Sequence, residues 1–277
     1  MDRNSVVLKA KLAQQAERFD DMFSHMKEVA RQSQKLTVEE RRLFCVACEN
    51  VVDSRRASRS RPVPVIMDLK IMNELYYICN EILSIIEKSL LPKSTSGEDK
   101  VFYCKMKGDH HRYLCEFQTG DTCNASASAA LDAYLTATVI ASSDLSRSHP
   151  IRLRLANNLA VFYDEIYHRP DHAYRIGKQA FDDASASAKS KSGTLSKESR
   201  TEMQLLKNNL KTWTSKLTNL KTLTSSQTGN VQKKKFDKMS VQKKKTFDKM
   251  SAMKLGWKVM QVGLDVAGIP CPDCPDF

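Results

Sequence analysis

Arg112 and Tyr113 stand side by side within Lys105-Met106-Lys107-Gly108-Asp109-His110-His111-Arg112-Tyr113-Leu114. On a helix such a pair can hold a phosphate: the guanidinium offers a planar fork of charged donors, and the phenol adds a neutral one. This pattern reads phosphate on a partner rather than doing chemistry on it. The sequence shows no glycine-rich phosphate loop and no clear Ser-His-Asp or Cys-His arrangement. We therefore expect no enzyme, no catalytic residue, no cofactor and no small-molecule substrate. Cys45-Val-Ala-Cys48 and Cys271-Pro-Asp-Cys274 together could supply four thiolates to zinc. One pair falls within a predicted helix and the other in a tail, so no metal is expected. His110 and His111 read as surface histidines rather than ligands, and Asn124-Ala-Ser126 is a glycosylation sequon without meaning in the cytosol.

The elements that must position these residues are helices. With 41% hydrophobic residues the chain can bury a core, and 9 Gly and 8 Pro in 277 residues leave few turns for a many-stranded sheet. No window is apolar enough for a membrane span, and Met1-Asp2-Arg3-Asn4-Ser5 carries no signal-peptide core. These features predict a cytoplasmic protein with reduced thiols. The net charge of +12 points to an anionic partner without choosing among nucleic acid, membrane and phosphorylated protein.

Apolar spacing predicts one helix over 3–32 and another from the capping box Thr37-Val38-Glu39-Glu40 to about Arg59. Pro62-Val63-Pro64 then makes a turn. Further helices are predicted over 66–90, 97–118, 125–145, 151–167, 171–187 and 199–213. The fold class is all-α, an antiparallel helical array. Residues 1–215 form the domain, and 216–277 a basic tail. From 215 onward the chain has twelve lysines against five aspartates, and Val231–Ser240 recurs as Val241–Ser251 with one threonine inserted. Those lysine clusters could bind nucleic acid or an anionic membrane, or direct nuclear import.

Several segments, in order, resemble the 14-3-3 family. They are Lys9-Ala-Lys-Leu-Ala13, Asn50-Val-Val52 with Arg55-Arg56, Lys105–Asp109 with Arg112-Tyr113-Leu114, His149-Pro-Ile-Arg-Leu153, Val161-Phe-Tyr163, and Met203–Leu206 with Asn209-Leu210 and Trp213-Thr214-Ser215. The resemblance implies about nine helices in a cup-shaped protomer that usually dimerises, with an amphipathic groove for peptides phosphorylated on serine or threonine. It implies a phosphate site of Arg56, Arg112 and Tyr113, and peptide contacts by Asn158, Val161, Glu165, Leu205, Asn209 and Trp213. For Trp213 the spacing serves a core role equally well. The dimer interface would involve Leu12, Ala16, Arg18, Ser58, Lys70 and Glu74. Arg55-Arg56-Ala57-Ser58 also has the form of a basophilic kinase site, and phosphate there would oppose close packing of a dimer.

The sequence departs from the family pattern in three places. Glu49 stands where the phosphate site has a lysine. Positions 49 and 56 share a helix face, so the carboxylate is expected to weaken phosphate binding and to pair with Arg56 itself. Between Ser58 and Lys70 roughly fifteen residues, about 22 Å of helix, are missing, which predicts a weakened homodimer or heterodimer with other members, or no dimer. Asn157 and Thr212 replace leucines of the groove wall. The expected function is thus a phosphoserine/phosphothreonine adaptor of reduced affinity. The alternative is a helical protein that has lost phosphopeptide reading and binds polyanions through its tail.

Overall fold

The computed structural model describes residues 2–59, 64–189 and 195–226, the last six by their backbone alone. Among the described residues the chain forms nine α-helices and no strand. They are α1 (Arg3–Gln15), α2 (Phe19–Arg31), α3 (Val38–Arg59), α4 (Val65–Ile85), α5 (Gly97–Cys115), α6 (Gly120–Asp144), α7 (Pro150–Glu165), α8 (Pro170–Lys189) and α9 (Lys197–Ser226). A π-helical turn (Ile86–Leu90) and a 3-10 turn (Leu91–Lys93) close α4. The chain divides into two compact units, one ending at Ala130 and the other beginning at Leu131.

Local chemistry explains the helix starts. The reciprocal capping box forms as expected: Thr37 N–H donates to Glu40 Oε2 at 2.8 Å, and Glu40 N–H donates to Thr37 Oγ1 at 3.2 Å. Ser96 caps α5 by accepting from Asp99 N–H at 3.2 Å. His149 caps α7 with its ring nitrogen, ahead of Pro150 at the first helical position.

The single helix expected over 3–32 is two helices. Glu17 adopts a left-handed φ of 55°, and the backbone of Ala16, Glu17 and Arg18 turns back onto the end of α1. Apolar periodicity runs through this break because α1 and α2 bury their stripes in the same core. The last helix is longer than expected, continuing through residues 216–226 where composition had suggested a tail. Residues 227–277, including the lysine repeats, Cys271 and Cys274, lie outside the described residues, as do 60–63 in the expected proline turn.

In the first unit, Val6, Ala10, Met22, Met26, Phe44, Val51, Leu75, Ile82 and Ile86 belong to one buried cluster. At roughly 1.5–3 kcal/mol for each large apolar side chain removed from water, that cluster is the main stabilising term. In the second unit α7, α8 and α9 pack mutually, with Leu153, Ala184 and Leu206 fully buried between them. Gly177 on α8 lets Trp213 approach: a Cβ there would stand 2.7 Å from the ring's Cζ3.

Candidate functional site

The first candidate site is built from the C-terminal halves of α3 and α5. Arg41 ties the starts of these helices together, with Nη1 2.5 Å from Asp99 and Nη2 2.5 Å from Glu98, and its guanidinium covers the Phe102 ring at 4.8 Å. α5 buries polar residues along its length, so they must be paired internally. Lys105, only 2% exposed, donates to Asp109 at 2.6 Å. Burial opposes the charge on Lys105, but Asp109, then Cys45 and Glu49, raise its pKa above the ordinary value. His110 is buried, against the surface position expected from sequence; its Nδ1 lies 2.7 Å from Met106 O, and its ring meets Tyr113 edge-on.

Arg56 and Arg112 converge at the end of α5. The Arg56 guanidinium lies 4.5 Å from the Tyr113 ring centroid and that of Arg112 lies 4.6 Å from it. Both reach one carboxylate. Arg56 grips Glu116 with two donors, Nε at 2.8 Å and Nη2 at 2.7 Å, and Arg112 Nη1 approaches the same Oε1 at 3.4 Å. A third donor of Arg56, Nη1, goes to Asp53 at 3.0 Å. Burial works against the charge on Arg56, and the Glu116 hydrogen bonds outweigh it to raise its pKa. The Tyr113 phenol is pushed above its usual value chiefly by burial, so it remains a neutral donor. The sequence-predicted trio Arg56, Arg112 and Tyr113 is thus brought together, with the two arginines already on an anionic oxygen.

Glu49 does not pair with Arg56. Two helical turns, about 10 Å of rise, separate the residues, whereas Asp53 is one turn away and Glu116 approaches from α5. Glu49 instead accepts the Cys45 thiol at 3.3 Å. Asp53 and Glu116 were missed from sequence, although i,i+3 spacing to Arg56 and i,i+4 spacing to Arg112 were legible signals.

The second set of candidates lies on α7 and α9. Arg154 and Glu202, 2.5 Å apart, pin these helices together, and Lys216 joins Asp164 at 2.5 Å. Asn209 Nδ2 donates to Asn157 Oδ1 at 2.7 Å. Asn157 is buried, Asn158 and Val161 are half-buried, and Glu165 and Leu205 are exposed. Trp213 is 2% exposed and packs on Gly177, so the structure describes it as a core residue.

The expected dimer residues lie on α1, α3 and α4 and in the turn between α1 and α2. Leu12, Ala16, Ser58 and Lys70 are exposed. Arg18 pairs with Asp21 at 2.5 Å. Glu74 receives Arg55 at 3.2 Å, and Arg55 also pairs with Asp20 at 2.8 Å. The Ser58 hydroxyl donates to Ser54 O at 2.9 Å. Among the described residues no cluster of His, Cys, Asp or Glu is arranged to hold a metal, and no helix is long and apolar enough to cross a membrane.

The described chain is all-helical, and two of its arginines meet on one carboxylate beside a tyrosine ring. The family model described as 14-3-3 protein matches residues 9–63 and 65–214, and the chain belongs to this family. It is 52% identical over 232 residues to a 14-3-3-like protein of Fucus vesiculosus, covering 77% of this chain and 91% of that one. It is 47% identical to the 14-3-3 family protein artA of Aspergillus flavus, covering 78% and 98%. With 14-3-3 protein epsilon of Drosophila melanogaster it shares 47% identity, covering 77% and 88%.

Proposed function

We propose that the chain is a non-enzymatic adaptor that binds protein segments phosphorylated on serine or threonine, with an affinity reduced by its own carboxylates. The observation that carries this reading is that Arg56 and Arg112 meet on Glu116 Oε1 with both guanidiniums against the Tyr113 ring. Two guanidiniums on one anionic oxygen, with a neutral phenol on the ring between them, make a donor set suited to a phosphate monoester. In this reading Arg56, Arg112 and Tyr113 hold the phosphate. Asn158 and Asn209 hold the peptide backbone, Val161 and Leu205 contact apolar side chains, and Glu165 borders them. Trp213, fully buried, supports α9 from within the core.

Affinity is lowered twice. A ligand phosphate must displace or share Glu116 and Asp53, and a ligand amide must win Asn209 from Asn157. Calorimetry with matched phosphorylated and unphosphorylated peptides tests the reading: measurable heat is expected for the phosphorylated peptide alone. Equal binding of both, or of neither at millimolar concentration, overturns it.

We further propose a weak homodimer, or heterodimer with other 14-3-3 proteins, through Leu12, Ala16, Arg18, Ser58, Lys70 and Glu74. The exposure of Leu12 (55%) among helices with a shortened hairpin supports it. Sedimentation should show a monomer at nanomolar concentration and a dimer at higher concentration; a stable nanomolar dimer contradicts the weakening.

A further inference from the structure

Cys115 ends α5 and Cys123 lies in the first turns of α6. Gly120, with φ of +59° and open space beside it, lets the chain turn back so that the two residues face each other. Their contacts are reciprocal: Cys115 Sγ lies 3.5 Å from Cys123 O, and Cys123 Sγ lies 3.8 Å from Cys115 O. Both are free thiols, Cys115 buried and Cys123 half-buried. The intervening turn is held in place, with Gln118 Oε1 accepting from Ser126 Oγ at 2.6 Å and Gln118 N–H donating to Leu114 O.

From this juxtaposition we infer that Cys115 and Cys123 are a redox modification site, closing to an intrachain disulfide under peroxide and reopening with thiol reductant. Each sulfur lies 3.5–3.8 Å from the other residue's carbonyl oxygen, so the two side chains share the short span that a disulfide bridges. The remaining described cysteines, 45, 48, 79 and 104, are all buried, so Cys123 is the accessible entry point among the described residues.

The Cys123 thiolate attacks a peroxide oxygen, the O–O bond breaks, and hydroxide leaves to become water. This gives a sulfenic acid on Cys123. The Cys115 sulfur then attacks the Cys123 sulfur, the S–O bond breaks, and the departing hydroxide takes up the Cys115 proton as a second water. Each sulfur is oxidised by one electron and the two peroxide oxygens are reduced. The Cys115 thiol is pushed up to about 12, first by burial and then by Cys123 beside it, which leaves the first attack to Cys123.

The bond would fix the turn that carries Glu116, the residue gripping Arg56 and Arg112. Its formation is independent of the phosphate reading, and the test needs no ligand. Full-length protein carrying Cys271→Ser and Cys274→Ser, which removes the two cysteines outside the described residues, is treated with graded hydrogen peroxide and mapped by mass spectrometry. We expect a peptide linking residues 115 and 123, lighter by two hydrogens, loss of two alkylatable thiols, and recovery of both with dithiothreitol. Cys123→Ser should abolish the linked peptide and retain the helical circular dichroism. A different cysteine pairing, or oxidation of Cys123 to sulfinic acid without a linked peptide, would overturn the inference.

Discussion

Asn209 on α9 donates its amide to the buried oxygen of Asn157 on α7 at 2.7 Å. An amide expected to serve a ligand is therefore already engaged. Whatever Asn209 gains from an incoming peptide is offset by the bond it gives up.

This sets a first prediction. Asn157→Leu removes the competing acceptor and restores an apolar side chain at a buried position. A net hydrogen bond is worth about 1 kcal/mol, so phosphopeptide affinity should rise by roughly fivefold. Fluorescence polarisation measures it, and a loss of affinity with the fold intact would show that the pair supports binding.

Glu49→Lys should act more strongly. Its carboxylate is exposed on α3 and shares a helix face with Arg56. Two unit charges at about 10 Å interact by roughly 1.7 kcal/mol at an effective dielectric near 20; half of the sign change is about tenfold in affinity. The added cation should also loosen Glu116 from Arg56. Calorimetry showing no gain would leave the weakness to other residues.

Stability should fall as the solution is acidified from about pH 6.5 to 4. His111 and His172 are each lowered to about 4, chiefly by burial, with Lys107 acting further on His111 and Arg169 on His172. Unfolded histidines take up protons near pH 6.5, below which the unfolded state binds more of them. Stability in this window therefore rises with pH and is lost on the way down. Urea midpoints across the range check the slope, and His172→Gln should make it shallower.

Gly177→Ala should cost about 1–3 kcal/mol through overpacking, because its Cβ would meet the fully buried Trp213 ring at 2.7 Å. A thermal melt showing an unchanged or higher midpoint would mean that the ring shifts freely, which its burial argues against.

The helix signals in the sequence were strong because they were local. Thr37 and Glu40 announce a cap within four residues, and Pro150 behind His149 does the same. The break at Ala16–Arg18 was hidden because its geometry depends on one left-handed residue, Glu17, which carries no glycine to mark it. Arg56, Arg112 and Tyr113 were legible as a trio. Their partner was not: Glu116 lies sixty residues from Arg56 in the chain, so only folding brings it there. Glu49 is the conspicuous charge on the same helix, but Asp53, one turn from Arg56, and Glu116 are the carboxylates that reach it. The amide pair Asn157–Asn209 is hidden for the same reason, since its members lie 52 residues apart in the chain.

Glu116 gives the arginine clamp an internal reference anion. Arrival of a ligand at Arg56 and Arg112 is then an exchange of one anion for another rather than the filling of an empty charge. A carboxylate on the newcomer has next to nothing to gain over the one in residence. A dianionic phosphate, with more oxygens and more charge, does. On the proposed reading the clamp would set a threshold between acidic and phosphorylated segments, and it should discount glutamate as a mimic of phosphoserine.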